Sequence, residues 1–358
     1  MCGSDGDAPE TPYKTPANLK PTPLASARDG DLVVEEFPVT HGGHTYPHSR
    51  IAYVKGRPPL PVVLVHHNYA GLKQFDIDQA CFLARVGYVG LAVDLYQETA
   101  NYTYANRNPT KDDGAEKLQA HFHGAFDLMI GLLRSPGPWR SLMRAYLDAA
   151  FEHLAVARGR AGAIGYCLGG QSCFEQVRAG HPLQVVVSLH GLLHSRPTYR
   201  DDPYNSLRRI TREEFAEEVG LEPNSYTPGC RVVVENGAWD AEVPPESIGE
   251  FFQEMDANAV DFRFNVHSQT PHGWALGPGV TGGADNYREA ADRRSTLSML
   301  AAFAEAWPDV PQRPVPSNAC GTALPRPVTE AAQYSTVLTL VVAMAGMAAL
   351  SRWLSRRA

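Results

Sequence analysis

The stretch "IGYCLGG", Ile164 to Gly170, sets one thiol in a frame of glycines directly after an apolar run. A nucleophile flanked by glycines two positions before and two after, between a strand and a helix, is the pattern of a nucleophile elbow. The glycines have a steric purpose. The nucleophile stands on a sharp turn, the helix packs close against the strand, and a side chain at Gly165 or Gly169 would strike its neighbour; Gly170 adds clearance. The same turn aims the amide N–H of Leu168 at the place where an oxyanion would form. An inert cysteine in a tight strand–helix turn accounts for these residues too, since buried cysteine is common.

Two further residues weigh on that choice. "VVVENGAWDAEVPPE" puts Asp240 in a loop just past a strand, and "VHSQTPHGWALGPG" puts His272 past the next one. The order is nucleophile, acid, histidine, with spacings of 73 and 32 residues that leave room for the elements between. Singly, Asp240 also reads as a helix cap and His272 as one loop histidine among 13. Jointly they describe nucleophilic acyl transfer. His272 would activate Cys167, Asp240 would orient His272, and the thiolate would attack a carbonyl. Thiolates attack unactivated amides poorly, so esters, lactones and thioesters are the expected substrates.

Other polar and aromatic residues fall near these positions. His190 ends the apolar run "LQVVVSLHG" where a side chain would line a pocket or bond locally. Trp239 and Trp274 flank the acid and the base, as an apolar wall around the acyl site or as core aromatics. His66 and His67 are adjacent on a strand and point to opposite faces, so they cannot share one ion, and no metal site or cofactor is expected. Asp94 reads as a strand-end turn residue.

The elements that must position these groups alternate in type. "PVVLVHH" (61–67) is an almost unbroken run of β-branched and apolar residues, so it reads as a strand buried on both faces. A helix is expected over 75–86 and a strand in "YVGLAVDLY", ending at Asp94. Helices follow over 113–133 and 139–157. "AGAIGYC" is a strand and 168–179 a helix. "LQVVVSLHG", "RVVVENG" and "VDFRFNVH" are strands, "D-x-x-V-P" at Asp240 to Pro244 turns into a helix, and 294–306 closes the fold. Such alternation predicts an α/β domain over 31–306, with a mostly parallel central sheet and helices on both faces. The polar, proline-punctuated segment 195–229 is too long for a plain connection and reads as a lid-like insertion.

Composition bounds the rest. The 358 residues are 44% hydrophobic and 20% charged, with a net charge of −7 and a pI near 6.0. That is a globular composition with no basic block of the kind a nucleic-acid partner requires. Six scattered cysteines form no CxxC pair, which fits a reducing compartment. Residues 1–30 lack an apolar core and read as a flexible arm rather than a secretory signal. After a proline-rich linker (307–333), residues 334–354 run uncharged until Arg352. By length this C-terminal hydrophobic helix reads as a tail anchor. It predicts a membrane location, the catalytic domain facing the cytosol. Neither substrate identity nor oligomeric state follows from the sequence.

Cys167 in "GYCLGG", Asp240 in "NGAWDAEVP" and His272 in "TPHGW", together with "VLVHHNYAGLKQFDIDQACFLARVGYVGLAVDLY", resemble the dienelactone hydrolase family, over roughly 31–306. The resemblance implies an α/β-hydrolase fold, cofactor-free hydrolysis of a small-molecule ester or lactone, and Cys167, His272 and Asp240 as nucleophile, base and orienter. It also makes Tyr69 the second oxyanion amide beside Leu168. Two positions depart from the family. Asn68 stands where bacterial members carry a glutamate linked to switching the thiol on, and Leu276 stands where an arginine helps hold the dienelactone carboxylate. A different pocket and direct activation by His272 are therefore expected. The alternative is a catalytically weak or inactive binding or scaffold protein on the same fold. A serine esterase with Cys167 as bystander is disfavoured, because no other elbow motif occurs.

Overall fold

The computed structural model describes residues 31–104, 115–193, 224–277 and 286–312. Ten strands and six helices lie within them. The strands are β1 (Leu32–Glu36), β2 (Val39–His41), β3 (His44–Tyr46), β4 (Arg50–Val54), β5 (Leu60–His66), β6 (Val89–Val93), β7 (Val156–Tyr166), β8 (Val185–Leu189), β9 (Arg231–Trp239) and β10 (Asp261–Pro271). The helices are α1 (Gln74–Val86), α2 (Ala115–Arg134), α3 (Pro136–Phe151), α4 (Leu168–Arg178), α5 (Pro245–Ala257) and α6 (Glu289–Ala306). Eight strands form one sheet in the order β1-β4-β6-β5-β7-β8-β9-β10, and β2 pairs with β3 in a separate hairpin. From β6 to β10 every neighbouring pair is parallel; β4 joins β6, and β1 joins β4, antiparallel.

The apolar run at 61–67 is a strand buried on both faces, as its composition predicts. Val62 and Leu64 enter one core cluster with residues of α3, α4 and α5. Val63 and Val65 enter a second cluster with residues of α1 and α6. Strand alternation thus feeds two cores from one run of residues. Local chemistry sets the helix ends. Asp76 in the first turn of α1 accepts a hydrogen bond from the Lys73 amide at 2.8 Å, and Gly87 closes that helix at φ 122°. Proline occupies the first turn of α3 and of α5.

Behind the elbow lies a buried charge network. The Arg178 and Glu175 side chains are 0% exposed and paired at 3.0 Å. Arg140 donates to the second Glu175 oxygen at 2.8 Å, and Arg178 donates to both oxygens of Glu254 at 2.7 and 2.8 Å. Arg178 also donates to the Leu193 carbonyl at 2.7 Å, and its own carbonyl accepts from the amides of Ser225 and Tyr226. One residue of the elbow helix therefore ties together the described stretches on either side of residues 194–223. Removing one partner of such a network strands a buried charge, at a cost of about 3–5 kcal/mol. Chemical denaturation of Arg178→Met is expected to show a loss of that order; a loss within ~0.5 kcal/mol, the range of an ordinary surface substitution, would contradict it.

Differences from the sequence reading lie at its edges. Helix 139–157 begins earlier and ends at Phe151, because β7 starts at Val156 rather than at Ala161. The arm (1–30), most of the insertion 195–229, most of the linker 307–333 and the segment 334–354 lie outside the described residues. The expected membrane location is corrected: among the described residues no helix is long and apolar enough to cross a membrane. The run at 334–354 met the length criterion only, its hydrophobicity diluted by alanine, glycine, serine and threonine.

Candidate active site

Cys167 leaves β7 and caps α4 at φ 57° and ψ −114°. This positive φ costs a non-glycine residue of order 1–3 kcal/mol and persists only where the surroundings enforce it. Here they do. The Cys167 amide donates to the Leu189 carbonyl at 3.1 Å, and its carbonyl accepts from Gln171 at 3.2 Å. The two glycines are required by close approach. A Cβ on Gly165 would lie 2.0 Å from the Gly169 carbonyl oxygen, and one on Gly169 would lie 2.1 Å from that of His66. Helix α4 is thus pressed onto β5 and β7, and Cys167 stands half-buried at the apex.

The two partners arrive on neighbouring parallel strands. Asp240 follows β9 and His272 follows β10, and Trp239 and Pro271, the residues just before them, are paired across the strands. His272 Nδ1 donates to the Asp240 carboxylate, 2.9 Å from Oδ2 and 3.0 Å from Oδ1. Cys167 is near enough to act on the same imidazole. Burial pushes the His272 pKa down. The Cys167 charge, the hydrogen bonds to Asp240 and Cys167, and the Asp240 charge outweigh it and hold His272 well above 6.5. A raised folded-state pKa stabilises the fold fully below the unfolded value near 6.5 and loses that contribution as pH rises through the raised value. Because Cys167 is the largest of the raising influences, Cys167→Ala is expected to lower the His272 titration midpoint. Ring-proton NMR reads this, and an unmoved midpoint would contradict the coupling.

The other predicted positions divide. Asn68 is buried, and its Oδ1 accepts from the Ala70 amide at 2.8 Å while its carbonyl accepts from Gly71 at 3.1 Å. It shapes the turn that carries Tyr69. The Tyr69 carbonyl accepts from the Tyr96 hydroxyl at 2.8 Å, and the Cys167 charge acts on Tyr69. Leu168 is the first residue of α4, so its amide is among those left without an intrahelical partner. His190 is fully buried, its ring 5.0 Å from that of His272. Trp274 is buried against His190, whereas Trp239 is 62% exposed and forms no wall with it. Leu276 belongs to the core. His66 bonds Gln176 at 2.8 Å; His67 donates to the Asn68 carbonyl at 2.7 Å and accepts from the Leu95 amide at 3.1 Å. Burial lowers their pKa values to about 4 and about 3, so both are neutral. Asp94 accepts from the Tyr96 amide and, through its carbonyl, from the Tyr146 hydroxyl.

Sequence reasoning passed over a second carboxylate–imidazole pair. His267 Nε2 lies 2.8 Å from Glu235 Oε2, on the same two strands as the first pair and five residues earlier on each. Its only signal was that matched offset.

Comparison with known proteins bears on the family and the fold. The model of the dienelactone hydrolase family matches residues 49–307. A Bradyrhizobium sp. protein named probable 2-oxo-3-(5-oxofuran-2-ylidene)propanoate lactonase is 27% identical over 173 residues, 46% of this chain and 60% of that protein. Carboxymethylenebutenolidase of Pseudomonas putida is 25% identical over 146 residues, 40% of this chain and 54% of the enzyme. The chain thus spans little more than half the length of these curated relatives. The solved structure named m3DLH superposes with a TM-score of 0.59 at 24% identity, covering 77% of this chain and 99% of that one, and shows the shared α/β-hydrolase fold. Elbow, acid and histidine all fall inside the family match, which takes in most of the sequence: the chain belongs to the dienelactone hydrolase family.

Proposed function

We propose that this protein hydrolyses small esters, lactones or thioesters through Cys167, His272 and Asp240. The observation that carries the reading is that the Asp240 carboxylate holds His272 through Nδ1, while Cys167 at the apex of the elbow acts on the same imidazole. The thiolate is the nucleophilic form of the cysteine. The thiolate attacks the carbonyl carbon, and a C–S bond forms as the C=O π pair moves onto oxygen. The amides of Leu168 and Tyr69 receive that charge. The tetrahedral intermediate collapses, the C–O (or C–S) bond to the leaving group breaks, and His272 delivers its proton to the departing atom. His272, now neutral, takes a proton from water. The resulting hydroxide adds to the acyl-thioester, and the acid is released as the sulfur leaves as thiolate beside the re-formed imidazolium. Asp240 stays ionised throughout and keeps the ring aimed. No step calls on a cofactor.

The relatives, a probable lactonase and a carboxymethylenebutenolidase, support lactones among the substrates. Leu276, buried in the core, offers no cation for a substrate carboxylate, so neutral esters and lactones are expected to be preferred. A panel of activated esters and neutral and anionic lactones, run on the full chain with Cys167→Ser as control, tests the reading. Turnover of at least one neutral class, lost in the control, is expected. Equal rates for the two proteins would overturn it.

A further inference from the structure

We propose that His190 is a positioning residue for His272, its ring forming the aromatic face that holds the His272 imidazole toward Cys167. This inference rests on the assignment of His272 as the base. His190 lies one residue beyond β8, between the strand that delivers the nucleophile and the strand that delivers the acid. Its amide donates to the Glu235 carbonyl of β9 at 2.9 Å, while the preceding residue, Leu189, accepts the Cys167 amide. The backbone there takes φ 42°, an unusual conformation for a residue with a side chain. The ring is fully buried. It meets His272 edge to face at 5.0 Å and an interplanar angle of 72°. On its other sides it meets Trp274 at 5.7 Å and Tyr166 at 6.1 Å. Trp274 rests in turn on His267, 4.9 Å away, and Glu235 fixes His267. The second carboxylate–imidazole pair thereby backs the first through two aromatic rings.

Among the described residues neither ring nitrogen of His190 has a hydrogen-bond partner, and both are buried. An imidazole buried among aromatic rings, with no polar partner among the described residues, points to a use of the ring itself. Burial, then the His272 charge, holds the His190 pKa well below 6.5, so an uncharged ring faces the imidazolium. Edge-to-face contact with an aromatic face suits a cationic ring. The charged and titratable groups around the pair are Cys167 and Asp240 on His272, Glu235 and His267 beyond Trp274, and Asp76 and Asp292 beyond Tyr166.

Two substitutions that fill the space without ring nitrogens separate ring contact from hydrogen bonding: His190→Phe keeps an aromatic face, and His190→Leu does not. Alkylation of Cys167 by iodoacetamide, followed across pH by peptide mass spectrometry with Cys81 as reference, reads His272 placement without needing the substrate. His190→Leu is expected to slow alkylation about tenfold, as small misplacements of reacting groups do, and to move the acid limb of the profile to higher pH. His190→Phe is expected to stay near wild type in both. A His190→Leu protein like wild type, or a His190→Phe protein as slow as His190→Leu, would overturn the proposal. His272→Ala is run alongside. If Cys167 reacts no faster in wild type than in that variant, the triad itself fails, a result distinct from failure of the His190 role alone.

Discussion

Cys167→Ala is expected to lower hydrolysis of the best substrate by at least ~10³-fold, His272→Ala by a similar factor, and the double variant no further than the worse of the two. The magnitude follows from the division of labour. The sulfur supplies the electron pair, and His272 supplies both the charge that favours thiolate and the proton that the leaving group needs. Neither role survives without the other, because Nδ1 is committed to Asp240 and the same ring is the one that Cys167 acts on. Residues acting as one unit give non-additive losses, so the double variant carries the information. Steady-state kinetics should show the loss in kcat, with KM changed far less, since neither group is needed to dock a neutral substrate. Losses that multiply in the double variant would mean that the two residues act separately.

The largest effect on the fold is expected at Gly169. A methyl group there would lie 2.1 Å from the His66 carbonyl oxygen, 2.7 Å from its carbon and 2.9 Å from the His67 oxygen. All three are backbone atoms of the central strand's end, so no side-chain rotation relieves the clash. Helix α4 would have to lift from β5, carrying Cys167 with it and disturbing the Arg178 network behind. Such backbone overpacking belongs to the class of substitutions costing more than ~4 kcal/mol, and activity should fall with stability. Gly249 on α5 is the internal control, with nothing within 4 Å of its Cβ position. Gly249→Ala is expected to be neutral or stabilising by up to ~1 kcal/mol. Denaturant titration of the two variants distinguishes steric clash at the elbow from a general intolerance of alanine for glycine.

The central strands were legible because both of their faces are buried, so "VVLV" and "VVV" are unbroken apolar runs. The strands before residue 60 were not. β1 reads LVVEE and is mostly exposed, and β2 and β3 are three residues each, so no two-residue period stands out. The triad was legible because an elbow imposes glycines at fixed positions and the partners follow strands in a set order. Arg140, Glu175, Arg178 and Glu254 escaped notice because charged residues on helices read as solvated faces, and only the tertiary packing of α3, α4 and α5 brings them together and buries the first three. The aromatic backing of His272 was half legible. His190 and Trp274 were singled out by position, but the Glu235–His267 pair that supports them shows no local pattern. Trp239 looked equivalent to Trp274 in sequence and is not, because it points to solvent where Trp274 packs inward.

The account stands or falls on a covalent acyl-thioester at Cys167. Acid quench of the full chain during turnover of a chromogenic ester, followed by peptide mapping, tests it directly. The account predicts an acyl mass on the peptide containing Cys167, accumulating further when Asp240→Asn slows deacylation and absent from Cys167→Ala. Turnover without any adduct on Cys167, or an adduct on another residue that persists in Cys167→Ala, would contradict it.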